Sequence, residues 1–263
     1  MKFVILINVI GIIDSGSGGI NVILECMKYY NQDFIYLLDN KNCPYGNKNK
    51  IELLEILKTN VDYLINNYNI DLIIIAFKTI SAIVDYSFLL KYKIPILKTI
   101  PCLKNIKKYG EEILLFATKN TIKNSKQIKL IKKNYPALKT LQIKGLAKLI
   151  DNYLEDNLEN KNKLIKLLNE NFLFKNNVKN KYKNIKYISL GCTHFKHIEK
   201  FLSDIFNKSI AFYSCEKNVA YISKWLIRKS KKQSTLNLVL TEQNDKLEDA
   251  IYKMFKQNVN SLM

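Results

Sequence analysis

Tyr187-Ile188-Ser189-Leu190-Gly191-Cys192-Thr193-His194 is an apolar, β-branched run that stops at a glycine and hands over at once to a thiol, a hydroxyl and an imidazole. A buried parallel strand delivers reactive groups to its carboxyl end in this way. Cys192 is therefore a candidate for chemistry. An adjacent imidazole that donates a hydrogen bond or carries a charge favours thiolate, the form of cysteine that acts as a base, and His194 stands in that position. By itself the stretch also fits a buried structural cysteine beside a hydrogen-bonded histidine, because free cysteine packs as a small hydrophobe. The rest of the chain decides between the two.

Other strand-like runs end in the same manner. Residues 5–13 are apolar and lead into Asp14-Ser15-Gly16-Ser17-Gly18-Gly19, a flexible turn before a helix over 20–30. Glycines there permit close backbone approach, and the free amides of a helix start attract an anion such as a substrate carboxylate. Residues 34–38 end in Asp39, followed by Cys43-Pro44-Tyr45-Gly46, where proline and glycine set a turn and the tyrosine offers a hydroxyl. Residues 72–76 end in Phe77-Lys78-Thr79, and 113–116 in Ala117-Thr118, with Thr121 shortly after.

Further strands are predicted over 94–100, 138–143, 210–213 and 236–240. Helices are predicted over 51–68, 81–90, from about 121 to 135, 145–153 (carrying Asp151), 163–172, 197–206, 219–229 and 245–255. Strand and helix alternate throughout, so the fold class is α/β, with two doubly wound parallel sheets. The likeness of the 72–79 and 187–194 stretches suggests two related halves facing each other. Ligands in such folds gather at strand carboxyl ends and at domain interfaces, which puts the site in the cleft between the halves.

A length of 263 residues and a 48% hydrophobic share suit a globular protein with one large or two small domains. The formal charge of +19 raises nucleic acid as a partner, but the excess is almost all lysine, with Arg228 the sole arginine. Arginine is the preferred fork for bidentate phosphate and guanine contacts. Abundant lysine, asparagine and isoleucine instead fit A/T-rich codon usage, and solvated lysine faces on helices account for the charge. Five cysteines without a CxxC pair point to a reducing cytoplasm, and with only two histidines they leave a metal site short of ligands. The apolar start runs into Asp14-Ser15-Gly16 rather than a cleavage site, and no other stretch suits a bilayer span, so a cytoplasmic protein without membrane contact is expected.

Taken together, Gly11-Ile12-Ile13-Asp14-Ser15-Gly16, Pro44-Tyr45-Gly46, Ala117-Thr118 with Thr121-Ile122, and Leu190-Gly191-Cys192-Thr193-His194 resemble glutamate racemase. The match covers nearly the whole chain in order. The resemblance implies an isomerase that needs no cofactor and supplies D-glutamate for peptidoglycan, hence for cell wall biogenesis and cell shape. It implies two pseudo-symmetric α/β domains, taken as 1–100 plus 209–263 and 101–208, and leaves a homodimer open. It also implies that glutamate is cradled by Asp14, Ser15, Pro44, Tyr45, Gly46, Thr79, Thr118, Thr121, Thr193 and His194.

Inverting an α-carbon requires one group to remove a proton from one face and another to return a proton to the other. Family members use one cysteine from each half, and Asp14 and His194 resemble the groups that assist the thiols. Asp151 stands where the family has a glutamate. The departure lies at Ala76-Phe77-Lys78-Thr79, where the family has Ala-Cys-Asn-Thr: Phe77 replaces the first catalytic cysteine and cannot transfer a proton.

Three accounts follow. Another acid/base has been recruited, Lys78 being the nearest candidate and Cys43 a weaker one. Or Cys192 works alone, exchanging the α-hydrogen from one face. Or the chain is a decayed, inactive enzyme that binds an acidic amino acid, with Lys78 pairing a substrate carboxylate. Cys26 reads as core packing, Cys102 as a loop thiol, Cys215 as a glycine replacement, His197 as a surface or capping residue, and Trp225 as core or interface packing.

Overall fold

The computed structural model describes residues 7–100, 103, 113–136, 138–155, 158–174, 182, 184–206, 210–214, 216–227 and 232–262. β1 (Val9–Asp14), β2 (Asp33–Leu38), β3 (Leu72–Ile75), β4 (Ile96–Lys98) and, from late in the chain, β9 (Thr235–Leu240) form one sheet in the order β4-β3-β1-β2-β9. β5 (Ile113–Ala117), β6 (Lys139–Leu141), β7 (Tyr187–Gly191) and β8 (Ala211–Ser214) form a second, in the order β6-β5-β7-β8. Every pairing in both sheets is parallel. The α/β class with two parallel sheets is as expected from the alternation of elements.

Helices cover the sheets because parallel strands are apolar on both faces. Ile10, Ile12, Tyr36 and Ile74 pack on α1 (Gly18–Met27), which carries Cys26 in that core as expected, and on the helices at the chain end. Ile13, Ile35, Leu37, Ile73 and Ile75 face the other way, against Leu53, Leu57, Val61 and Leu64 of α2 (Lys50–Asn67). Each such side chain contributes about 1.5–3 kcal/mol on burial. A capping box fixes the start of α2: Asn49 Oδ1 accepts from the Ile51 and Glu52 amides, while Glu52 accepts from the Asn49 amide.

Two helices expected to be continuous are broken. The 81–90 stretch starts earlier and splits into α3 (Lys78–Ile83) and α4 (Tyr86–Leu89), with Val84 and Asp85 extended between them. The helix expected to reach 135 divides into α5 (Lys119–Asn124) and α6 (Lys126–Asn134) at Ser125, which is extended and whose hydroxyl accepts from the Ile128 amide. Local hydrogen bonding by serine competes with helix continuation. α7 (Leu146–Leu154) follows Gly145, whose φ of +77° favours glycine. α8 (Leu158–Asn169), α9 (Glu199–Ile205), α10 (Glu216–Ser223) and α11 (Asp245–Leu262) complete the helices used below. Among the described residues no helix is long and apolar enough to cross a membrane.

β8 pairs with β7, so the second sheet runs past the expected domain boundary at 208 to Ser214. The boundary itself falls on 207–209, outside the described residues, as do Cys102 and Cys215. Trp225 is not core: it is 68% exposed, with the Lys224 ammonium 5.5 Å from its ring centroid.

In each sheet the chain reverses its direction of travel between two central strands, β1 and β3 in the first and β5 and β7 in the second. Such switch points open a crevice at the strands' carboxyl ends. The residues delivered there are Asp14, Phe77, Thr118 and Cys192.

Candidate active site

β1 ends on Asp14, which is fully buried. One carboxylate oxygen accepts from the Ser15 amide at 2.7 Å and the other from the Thr193 hydroxyl at 2.9 Å, so this residue of the first sheet is tied to the residue following Cys192. Burial pushes its pKa up to about 6, more than the nearby His194 charge and these two hydrogen bonds pull it down.

On the second sheet, Cys192 follows β7 directly and is 3% exposed. Its Sγ lies 3.7 Å from His194 Nδ1, and His194 Nε2 lies 3.2 Å from Asp151 Oδ2. Burial alone would lower the His194 pKa, but the Asp151 carboxylate and the Cys192 sulfur outweigh it and hold the imidazole well above its ordinary value. Burial would likewise raise Asp151; the His194 charge and the bonds from His194 and Ser17 hold it below the usual carboxylate range. His194 is thus an imidazolium donating toward sulfur on one side and carboxylate on the other.

The glycine-rich turn does bring helix-start donors to an anion, but the anion is the protein's own. Asp151 Oδ1 accepts from the Ser17 amide at 3.0 Å and the Ser17 hydroxyl at 2.5 Å, and the Gly19 amide donates to Tyr36 Oη at 3.0 Å. Close approach explains the glycines: a Cβ on Gly16 would stand 2.3 Å from Asp151 Oδ2 and 2.4 Å from His194 Nε2. His197, expected as a surface or capping residue, is half-buried with Nε2 3.2 Å from the Ser17 carbonyl oxygen, and burial with the His194 charge pushes its pKa down to about 4.

Three hydroxyls link the halves on the other side of the crevice. Thr79 Oγ1 lies 3.0 Å from Thr118 Oγ1 and 3.3 Å from Thr121 Oγ1, and the last two are 2.9 Å apart. Between these groups is a cleft of about 530 Å³ whose lining includes Ser15, Cys43, Pro44, Tyr45, Gly46, Phe77, Thr118 and Cys192. Phe77 and the one remaining thiol of the expected pair therefore face the same space. The Tyr45 ring packs edge-on against Phe77, with centroids 4.5 Å apart. Its hydroxyl is not offered to the cleft: it donates to buried Asp39, which also accepts from Asn60. Burial pushes the Cys43 thiol up to about 11, so it stands as a neutral thiol.

Lys78 does not line the cleft. It is 2% exposed, and its Nζ donates to Glu216 Oε1 at 2.9 Å and to the Leu190 carbonyl at 3.1 Å. Burial would raise the Glu216 pKa, but the Lys78 ammonium overrides it and holds the carboxyl below its usual range. Its Nζ is thus directed at Glu216 and the β7 backbone and away from the cleft, where a recruited base would have to stand.

Sequence reasoning missed Ser17, Glu216 and the four lysines at the rim of the cleft, Lys119, Lys123, Lys144 and Lys148. A hydroxyl inside a glycine-rich turn was a usable signal for Ser17. The lysines had none in a chain where lysine is everywhere.

No protein-family model matches the chain. It is 34% identical over 209 residues to a glutamate racemase of Clostridium botulinum strain Okra, covering 76% of each chain. It is 32% identical over 209 residues to that of strain Alaska E43, again 76% of each. Among solved structures, Escherichia coli glutamate racemase in complex with L-glutamate and the activator UDP-MurNAc-ala aligns with a TM-score of 0.77 at 20% identity, covering 95% of both chains. Glutamate racemase from Bacillus anthracis aligns at 0.74 and 19%, covering 95% of this chain and 94% of the other. The structural likeness shows the fold, two sheets meeting at a crevice; the sequence identity over three quarters of the chain shows kinship, and the chain belongs to the glutamate racemase family.

Proposed function

We propose that the protein is a cofactor-independent glutamate racemase that interconverts L- and D-glutamate in the cytoplasm and supplies D-glutamate for peptidoglycan. The observation that supports this most is the Asp151–His194–Cys192 chain at the end of β7, joined to Asp14 through Thr193 and opening on the cleft. In this reading the Cys192 thiolate takes the α-proton, and the His194 imidazolium stabilises the thiolate until it does. The rim lysines draw in the dicarboxylate, because a cleft lined by one sign of charge concentrates the opposite sign. Thr79, Thr118 and Thr121 exchange a bond among themselves for one to a substrate carboxylate.

The opposite face of the α-carbon is where this chain differs. Phe77 offers no proton, so return on that side runs from the Cys43 thiol or from water admitted through the cleft. The consequence is kinetic. A proton taken by Cys192 and returned to the same face leaves glutamate unchanged except for its isotope, so exchange outruns inversion.

A second reading, a catalytically inactive member that binds an acidic amino acid, is supported by the same observation that weakens the first: the Phe77 ring stands at the cleft. Incubation of L-glutamate in deuterium oxide separates the two. Deuterium at the α-carbon together with D-glutamate supports the racemase. Glutamate binding without deuterium entry supports the inactive binder.

A further inference from the structure

Phe77 and Lys78 are adjacent departures from the family pattern, and the structure sends them in opposite directions. Phe77 lines the cleft; Lys78, the first residue of α3 at the end of β3, turns to the seam between the sheets. There its ammonium bonds to Glu216 Oε1, at the start of α10, and to the carbonyl of Leu190, two residues before Cys192. The two charged side chains are 1% and 3% exposed. Neither charge is stable in such a place alone, and the pair holds because the ammonium has a further polar partner. That further partner belongs to the strand that carries the thiol.

We infer that Lys78 is a positioning residue: it clamps the carboxyl end of β7 to the first domain and so sets where Cys192 stands, rather than moving a proton on the substrate. β7 is held laterally by β5 up to Gly191 and by β8 up to Leu190, so the lysine meets the strand where its ladders stop. In its catalytic consequence the inference rests on the racemase reading; in its effect on the thiol it does not.

The test uses the full chain, with Lys78→Met and the double variant Lys78→Met/Glu216→Gln. Three quantities are read: thermal unfolding, the iodoacetamide alkylation rate of the Cys192 peptide by mass spectrometry, and α-deuterium entry into glutamate. Lys78→Met leaves a buried carboxylate uncompensated and is expected to lower Tm markedly. The double variant removes both charges and is expected to regain most of that Tm, which keeps the thiol measurable if the single variant fails to fold.

In the double variant the alkylation rate is expected to change by about fivefold or more, and kcat for exchange to fall about tenfold or more with KM little changed, since small misplacements of a reacting group are costly. A double variant with wild-type alkylation would overturn the inference, whatever its exchange rate, because Lys78 would then serve only to neutralise Glu216 or act on substrate directly. Should the wild type show no exchange, the racemase reading fails while the alkylation arm still decides this one.

Discussion

The two sheets present their central strand ends to one cleft, yet they arrive with different chemistry. At the end of β7 stands a thiol backed by an imidazolium and a buried carboxylate. At the end of β3 stands a phenyl ring backed by another aromatic ring. Polar groups stand around that ring: Asp14 ends β1, the strand next to β3, and Thr79 reaches Thr118 and Thr121. One half therefore brings a thiol with an imidazole and a carboxylate behind it, and the other brings an apolar ring among polar neighbours. The halves are joined across the crevice by polar pairs, Thr193 to Asp14, Ser17 to Asp151 and Thr79 to Thr118, none of which depends on the side chain at position 77.

The largest expected effect comes from the side with the thiol. Cys192→Ala removes the base that this account requires, and deuterium entry at the α-carbon should fall by about 10²- to 10⁴-fold, the usual contribution of a positioned acid or base. Residual exchange at the wild-type rate would mean the two sides differ for another reason. A thiol on the other side comes next: Phe77→Cys should raise D-glutamate formation by about 10²-fold while changing exchange from the Cys192 face far less. Chiral chromatography and mass spectrometry of one reaction give both numbers.

Asp151→Asn tests the support behind the thiol. The His194 pKa is raised in the folded protein, so the stability this charge contributes is complete below its ordinary value of 6.5 and is lost as pH rises through the raised one. The Asp151 pKa is lowered, so its contribution is present above the usual carboxylate value and is lost as pH falls through the lowered one. The pair is therefore intact across neutrality. With asparagine, burial becomes the dominant influence on His194, and the alkaline limb of the exchange profile should move to lower pH, with the rate at pH 7.5 down by roughly tenfold. An unmoved limb would detach His194 from the thiol. Cys43→Ser is expected to do least, lowering inversion by about two- to fivefold if the thiol shares proton return with water; no change assigns the whole return to water.

Much of this was legible before any coordinates. Alternating apolar runs and helical spacing placed the strands, and the runs that stop at Asp14, Phe77, Thr118 and Cys192 named the crevice. Single-chain patterns failed where long-range partners decide. Lys78 looked like a spare base because nothing in its neighbourhood shows that Glu216, 138 residues later, lies within 2.9 Å. The Tyr45 hydroxyl looked free until Asp39 was found holding it. The breaks at Val84 and Ser125 depend on side-chain hydrogen bonding and extended backbone that periodicity does not register. Trp225 was read as core or interface packing, and its 68% exposure removes the core half of that reading.

The account stands on one ratio: deuterium entry over inversion for L- and D-glutamate, measured side by side in deuterium oxide for the wild type and Phe77→Cys. It predicts that in the wild type exchange of one enantiomer clearly outruns inversion, and that the added thiol brings the two rates together. Equal rates in the wild type, unaltered by the substitution, would contradict it, because both faces of the α-carbon would then already have a proton carrier.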